Sequence, residues 1–507
     1  MNRVLNEETG IRNRMINRDD PGMPLRRLSL RLALKLPVGA VAVVMSIAAV
    51  AGPVRLMAED GTPADTVPVE SPATAVQEKS APQLPYGYTP PAVIPPGASS
   101  DEEWIVQFGD GGKRATDNAR RDFLSVFNRE NFESPEDRAN FEKYIQWRLS
   151  QFTLRELLTV NANQQKIAGM RSKLLKDVDR ARSKAGPVVF KAYLDTLVRE
   201  TPKLFKYHFV ARLNGAWILA ELDEIPAENN KPAVPFLAVA EPLLDFLGQE
   251  NQLDVVRVPA VRGLARVVRD GQPPEKLRDD IIAAFVKELQ NGDPKNNALP
   301  ATIAEELGKL GIINGSDRKP VVVNALTHAL ADKNRGFRTR CEAATALGRL
   351  SLDNTINVRL IAFEIAALAQ EMASAFQKEA AEAEKNEQKP NYVAWKKPFF
   401  NLYTAFKGDK RENIERGHGL SNKDGLNGAI KQTVNGAYGQ VLPLILSILV
   451  EKPIDPTDQD AISQWLEANT PPSRKVHDSF QEIISDDQSR APGTLSSATA
   501  SNTDANN

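Results

Sequence analysis

The sequence predicts an all-α protein built around a stack of helix pairs. The 507-residue chain is 42% hydrophobic and 25% charged, with a formal net charge of −1, which is typical of globular domains. Long stretches rich in Ala, Leu, Glu, Lys and Arg favour helix, and no run of alternating β-branched residues predicts a sheet. A leucine followed by a small residue recurs along the chain, at Leu219-Ala220, Leu264-Ala265, Leu307-Gly308 and Leu347-Gly348.

Composition divides the chain into seven segments. We expect a basic cytoplasmic leader (1–35), a signal peptide or signal-anchor helix (36–54), a Pro-rich disordered linker (55–100), an N-terminal helical region (101–199), the repeats (200–352), a C-terminal helical region (353–484) and a disordered tail (485–507). The linker and the tail lack periodic hydrophobicity, so they cannot bury enough apolar surface to fold.

The N-terminal segment indicates export. Residues 36–51 carry no charge and follow a run of basic residues, which by the positive-inside rule keeps the N-terminus in the cytoplasm and translocates the rest. Ala49-Val50-Ala51 has the small-x-small pattern of a cleavage site, whereas extension to Val54 makes the segment long enough for an anchor. Cleavage near Ala51 and a retained helix both stay open, as do starts at Met1 and Met23. We expect a periplasmic or cell-envelope location.

Helix signals begin soon after the linker. Ser134-Pro135-Glu136-Asp137 combines a cap residue, a proline for the first helical position and acids in the first turn. Residues 358–384 predict one long helix whose last turns project into solvent, and residues 408–428 predict a loop. The apolar run 441–450 is too short to cross a bilayer and predicts a buried closing helix.

The repeat is the most informative feature of the sequence. Its leucines are separated by 45, 43 and 40 residues, read from positions 219, 264, 307 and 347. Small residues beside each leucine allow helices to approach closely while the leucine fills the shared core. An amphipathic helix precedes each of the last three copies, and Leu277, Ile281, Phe285 and Leu289 form the clearest of these. The period matches that of HEAT and armadillo helix pairs.

Arg340–Leu350 resembles the second helix of HEAT repeats of the phycobilisome-lyase type, and Arg257–Val267 and Arg212–Leu222 are fainter copies. The resemblance covers roughly residues 200–352. It implies an α-solenoid scaffold without implying an activity, and nothing in the sequence supplies a pigment-attachment site. Pro300 takes the place of the arginine in the third copy.

No motif predicts catalysis, a cofactor or a metal site. Cys341 is the only cysteine, and the histidines lie far apart, at His208, His328, His418 and His477. Residues 109–113 resemble a phosphate loop, but Gln107 and Arg114 stand where that motif needs Gly and Ser or Thr. A turn before a helix is the better interpretation. We interpret Cys341 as a small apolar residue of a repeat helix rather than a nucleophile.

Two sets of basic residues are candidates for binding. One repeat position is an arginine in three copies: Arg212, Arg257 and Arg340. These arginines could line a groove for an acidic ligand, or they could bond the inter-helix turn of the neighbouring repeat. The second interpretation is favoured. Residues 166–206 carry eleven basic residues against four acidic. This basic stretch could dock an anionic partner such as a polysaccharide, a lipid headgroup or an acidic protein, or it could be a solvated helix face.

These observations favour a non-enzymatic scaffold or binding protein of the cell envelope. We expect a protein partner, and no nucleic acid because the chain is exported. An anionic partner at the basic stretch 166–206 is a hypothesis beside the favoured interpretation, a solvated helix face. Membrane contact is expected only through residues 36–54 if they remain uncleaved. Two alternatives stay open: an enzyme with a site assembled from distant helices, and a structural envelope component that self-associates.

Overall fold

The computed structural model describes residues 104–108, 112–158, 162–229, 231–249, 252–294, 297–409 and 419–471. The predicted leader, signal segment, linker and tail lie outside the described residues. Within the described ranges the chain forms fifteen α-helices, several short 3₁₀ turns and one two-stranded sheet. The all-α prediction is therefore confirmed.

The helices follow one another along the chain. Before the repeats they are α1 (Gly112–Val126), α2 (Pro135–Ser150), α3 (Ala162–Lys184) and α4 (Pro187–Glu200), then the 3₁₀ helix Thr201–Lys206. The repeat region holds α5 (Phe209–Ala220), the 3₁₀ turn Leu237–Val239, α6 (Ala240–Leu247), α7 (Asp254–Asp270), α8 (Glu275–Asn291), α9 (Ala298–Leu310), α10 (Val321–Ala331) and α11 (Phe337–Arg349). After it come α12 (Val358–Lys385), α13 (Tyr392–Lys407), α14 (Gly428–Leu449) and α15 (Pro456–Ala468).

The N-terminal helices pack around an aromatic core. The Ser134 hydroxyl accepts a hydrogen bond from the Asp137 backbone N–H at 3.1 Å, which confirms the predicted start of α2. Phe141 on α2 stacks on Phe123 of α1 at 5.0 Å between ring centroids, and Tyr193 of α4 meets both rings. These buried rings join the consecutive helices α1 and α2 to α4, which follows more than thirty residues later.

The later helices form two layers. In the first layer α5, α7, α9, α11 and α13 pack successively against one another, and in the second α6, α8, α10 and α12 do the same, with α14 packed on α12. Each second-layer helix from α6 to α12 also contacts the first-layer helix that follows it in sequence. The result is a stacked array of helix pairs with one continuous core.

Small residues set the spacing within the first layer. The repeat leucines Leu307 and Leu347 are fully buried. A Cβ added to Gly308 of α9 would lie 2.6 Å from the Cα of Ala346 on α11, and one added to Gly348 would lie 2.8 Å from the Cα of Ala405 on α13. The predicted close approach of the helices is therefore present, and it continues past residue 352 to α13.

The C-terminal helices agree with the sequence in one case and correct it in another. Helix α12 ends one residue after the predicted Glu384, and Glu382 near its end is exposed. Residues 441–450 are not a separate closing helix, because residues 441–449 form the second half of α14 and are buried on one face only. Leu446 and Val450 are 44% and 58% exposed, since the neighbouring helices cover just the opposite side.

A small sheet interrupts the helical pattern between α5 and α6. Strand β1 (Asp223–Ile225) pairs antiparallel with β2 (Val234–Pro235). This short hairpin gave no alternating signal in the sequence. None of the helices in the described ranges combines the length and the apolar character needed to cross a membrane.

Candidate binding surfaces

The recurring arginines bond the turn before their own helix. The Nε of Arg257 donates to the Leu247 carbonyl at 2.9 Å, and the Nε of Arg340 donates to the Leu330 carbonyl at 2.8 Å. Each acceptor lies ten residues upstream, at the C-terminal end of the preceding helix, where backbone carbonyls have no partner within the helix. These two arginines therefore cap the first helix of their own pair.

The same arginines also reach the next pair in the stack. A guanidinium nitrogen of Arg257 lies 2.5 Å from a Glu288 carboxylate oxygen on α8, and one of Arg340 lies 2.6 Å from Glu371 on α12. Burial by itself would raise the pKa of Glu371, but hydrogen bonds and charge from Arg340 and Lys333 hold it below its ordinary value. The arginines therefore join successive pairs through ion pairs, but the turn that each bonds is that of its own pair, whereas the favoured sequence interpretation placed this bond at the inter-helix turn of the neighbouring repeat.

In the first copy, Arg212 also bonds a backbone carbonyl, but its second partner is an amide side chain instead of a carboxylate. Arg212 is buried, donates to the Tyr207 carbonyl and bonds the Gln252 side chain at 2.7 Å. No carboxylate among the described residues forms an ion pair with it, and burial lowers the pKa of its guanidinium. Its role is again to bind a turn and the following connection, rather than to face solvent.

In the third copy, an arginine from another segment makes the hydrogen bond that the repeat arginine makes in the other copies. Pro300 does not prevent the helix, because α9 begins at Ala298 and Pro300 occupies its first turn, where a backbone N–H is not needed. The carbonyl ten residues upstream, that of Gln290, instead accepts a hydrogen bond at 3.2 Å from Arg335. Arg335 is buried in the turn before α11 and pairs with Asp332 at 3.2 Å.

Among the remaining candidates from the sequence, Cys341 and His208 have packing and capping roles in the structure. Cys341 is fully buried, its Sγ lies 3.5 Å from the Met372 sulfur, and burial raises the pKa of its thiol, which disfavours the thiolate. His208 caps α5 by accepting from the Ala211 N–H at 3.3 Å. Residues 109–111 lie outside the described residues, and Gly112 starts α1. Among the described residues no group of three or more His, Cys, Asp or Glu could hold a metal ion.

The structure divides the basic stretch into two classes. Six of its eleven cations hold ion pairs within the described ranges: Lys166, Arg171, Arg182, Lys191, Arg199 and Lys203. Arg171 donates to the Asn214 side chain at 2.8 Å and lies over the Trp217 ring, which fastens α3 to α5. Arg182 donates to the Asp223 carbonyl at 2.5 Å. These arginines belong to the packing rather than to an open surface.

Five cations make up the second class: Lys206 lies on the 3₁₀ helix Thr201–Lys206, and the other four form a row on one helix. Lys173, Lys176, Arg180 and Lys184, here named the cation stripe, follow at spacings of three, four and four residues along α3. At 100° per residue these positions fall within about 80° of one another and span about 16 Å. The three lysines are exposed, and none of the four cations holds an ion pair with another described residue.

A groove of about 800 Å³ lies between the 3₁₀ helix Thr201–Lys206, α6 and the start of α8. Its apolar lining includes Pro202, Phe205, Leu237, Pro242 and Leu277, and its charged lining is Arg199, Lys206, Glu241 and Asp245. Phe205 is held in place by stacking on the buried Phe246 at 4.0 Å. The sequence analysis missed this groove because its walls come from segments up to eighty residues apart.

Two carboxyl groups with opposite pKa shifts lie on neighbouring first-layer helices. Burial, reinforced by the charge of Glu305, raises the pKa of Glu342 on α11. Burial also acts on Glu305 of α9, but a 2.7 Å hydrogen bond from Lys309 and nearby positive charges lower its pKa. Lys397 of α13 lies 3.8 Å from Glu342. These charged groups link three successive helices of the layer.

Comparison of the sequence with protein-family models and with curated proteins found no match. The geometry of these surfaces therefore carries the functional argument.

Proposed function

We propose that the protein is a non-enzymatic scaffold of the cell envelope that binds other proteins through a HEAT-like helix array. The observation that carries the proposal is the stack itself, in which successive pairs share a core and buried arginines bond the turns. Such arrays present long, continuous surfaces to partners. The 40-to-45-residue spacing of the repeat leucines and the Arg340–Leu350 motif support the HEAT-like assignment.

The envelope location is supported by the uncharged residues 36–51, which follow a basic leader. A location outside the cytoplasm also favours a protein or another envelope component over nucleic acid as the partner. The Pro-rich residues 55–100 between that segment and the helices have the composition of an extended tether.

The groove at α6 is the proposed contact surface for a protein partner. Its lining combines apolar side chains with charged groups of both signs, which is the usual composition of a specific protein-binding site. Ala238 lines the groove and is exposed, so a longer side chain there fills the groove without entering the core.

The test compares two full-length variants with the wild-type protein. Ala238→Arg blocks the groove, and Ala381→Arg places the same side chain at an exposed position on α12. Tagged proteins are purified from envelope fractions, and the proteins that co-purify are quantified by mass spectrometry. We expect Ala381→Arg to keep the wild-type partners and Ala238→Arg to lose at least one. A wild-type protein that enriches no partner over an untagged control refutes the scaffold.

An enzyme is the second candidate, favoured by the carboxyl pair Glu305 and Glu342, because opposite pKa shifts are typical of acid–base pairs. An enzymatic pair must be reachable, so a carboxyl-modifying reagent would label Glu342 in the folded protein. A packing role predicts protection until unfolding, since Glu342 is only 9% exposed.

The variant Glu342→Gln tests the raised pKa of this carboxyl group through stability, whichever role it has. The folded pKa of Glu342 lies above its ordinary value of 4.5, so stability is lost as the pH rises from about 4.5 to the folded pKa, and the full loss is present above it. Glu342→Gln is therefore more stable than wild type at neutral pH. The difference shrinks as the pH falls through the folded pKa and disappears below about 4.5.

A further inference from the structure

The cation stripe of α3 is an uncompensated row of positive charge. The acids nearest to it in sequence are already used: Asp177 pairs with Arg148 of α2 at 2.7 Å, and Asp179 pairs with Arg182 at 2.5 Å. The four cations of the stripe are therefore left without a carboxylate partner among the described residues.

The stripe is not a consequence of helix packing. The apolar side of α3 faces the core through Leu174 and Val178, which are 1% and 2% exposed. The cations that do serve packing, Arg171 and Arg182, lie on other faces of the helix and bond α5 and the β1 strand. Removing the charges of the stripe would therefore leave every described contact of α3 in place.

We propose that the cation stripe binds an acidic segment of a partner protein, most simply a helix with carboxylates four residues apart. This inference rests on the proposed scaffold function and names the chemistry of one partner. Carboxylates at that spacing recur every turn, about 5–6 Å along a helix. The stripe repeats at the same interval along α3, so the two rows of charge can lie in register.

A membrane surface fits the same residues less well. Helices that bind bilayers from the side insert a broad face of large apolar residues. The exposed residues of α3 from position 166 onward are instead polar, charged or small: Lys166, Ala168, Ser172, Lys173, Lys176, Asp179, Ser183 and Lys184. In addition, a single row of four cations can contact only a few of the lipid headgroups on the flat surface of a bilayer. A single-stranded nucleic acid would need aromatic side chains between the cations, and the exposed face has none.

The experiment uses the full chain with two sets of four substitutions that change the net charge equally. The stripe variant carries Lys173→Gln, Lys176→Gln, Arg180→Gln and Lys184→Gln. The control variant carries Lys276→Gln, Lys287→Gln, Lys378→Gln and Lys385→Gln, at exposed lysines that hold no ion pair with a described residue. Far-UV circular dichroism and thermal melting verify that both variants are folded.

Binding is measured at physiological ionic strength against two probes. One is a synthetic helical peptide with glutamates four residues apart, and the other is vesicles of phosphatidylglycerol and phosphatidylcholine. We expect the stripe variant to bind the peptide about tenfold more weakly than wild type, and the control to stay within about twofold. Added salt should weaken the wild-type interaction, because exposed charges are screened over about 8–10 Å.

The following results would overturn the inference. The peptide fails to bind the wild-type protein, it binds both variants equally, or the vesicles bind through the stripe while the peptide does not. A stripe variant that unfolds, while the control stays folded, would likewise show that these cations belong to the packing. None of these results concerns the groove at α6, so the proposed scaffold function can hold even if this inference is wrong. Conversely, the wild-type protein could bind the peptide while no protein co-purifies with it from envelope fractions. In that case the stripe would have no partner protein to bind, and its proposed role would be wrong.

Discussion

Gly308→Ala tests the close packing of the first layer most directly. Gly308 lies on the face of α9 that meets α11, and an added Cβ would lie 2.6 Å from the Cα and 2.7 Å from the Cβ of Ala346. Carbon atoms in contact are ordinarily about 3.5–4.0 Å apart. Because the nearest atom belongs to the backbone, no side-chain rotation relieves the clash, and the two helices must separate by about 1 Å.

The magnitude follows from two opposing effects. Alanine is favoured over glycine inside a helix by about 1 kcal/mol. Overpacking a filled core costs about 1–3 kcal/mol, and more when backbone must move. Leu307 and Leu347 beside the contact are fully buried, so a separation of α9 and α11 also loosens their packing. We expect a net loss of about 1–2 kcal/mol in the free energy of unfolding.

The matched control is Gly169→Ala on α3. A Cβ at Gly169 meets nothing within 4 Å, so only the helix preference acts and the variant should gain about 0.5–1 kcal/mol. The same substitution therefore has opposite signs at the two glycines. Urea unfolding followed by far-UV circular dichroism measures both midpoints, and an unchanged slope indicates an unchanged extent of unfolding. If Gly308→Ala is as stabilising as Gly169→Ala, the close approach of α9 and α11 is wrong.

Three further predictions concern the core, a buried lysine and export. Leu347→Ala should cost about 2–5 kcal/mol because its side chain is fully buried, whereas the exposed Glu382→Ala should stay within about 0.5 kcal/mol; similar losses in urea unfolding would contradict the packing register. Burial lowers the pKa of Lys423 from 10.5 to about 8, so wild type gains stability as the pH rises through that window. The advantage of Lys423→Met should therefore shrink by about 3 kcal/mol between pH 7 and 10.5, and parallel pH profiles would exclude the buried charge. A reporter active only after export, fused at Ser100, should be active, and activity of a cytoplasmic reporter there instead would show that residues 36–51 do not direct export.

The described groups around Lys423 explain why its protonation matters. Its Nζ donates to the Gly348 carbonyl at 2.7 Å, and the side chain is 7% exposed. That carbonyl lies at the end of α11, beside the contact between Gly348 and Ala405. The lysine therefore caps a helix of the array, at the cost of burying a charge that no described carboxylate neutralises.

The sequence alone determined the helices and much of their packing order. The cap at Ser134 and the end of α12 were predictable because they depend on residues within about four positions of one another. The repeat leucines were predictable as core because a recurring helix pair must bury one face against the next. The small residue after each leucine likewise indicated the close approach that Gly308 and Gly348 make.

Only the tertiary structure decided which charges are free. Arg171 and Lys173 stand two residues apart in one basic run, yet Arg171 bonds Asn214, forty-three positions away, whereas Lys173 faces solvent. The groove at α6 and the burial of Lys423 likewise depend on distant segments. The physical reason is range: helix formation is governed by neighbours along the chain, while ion pairing and burial depend on which side chains the fold brings together.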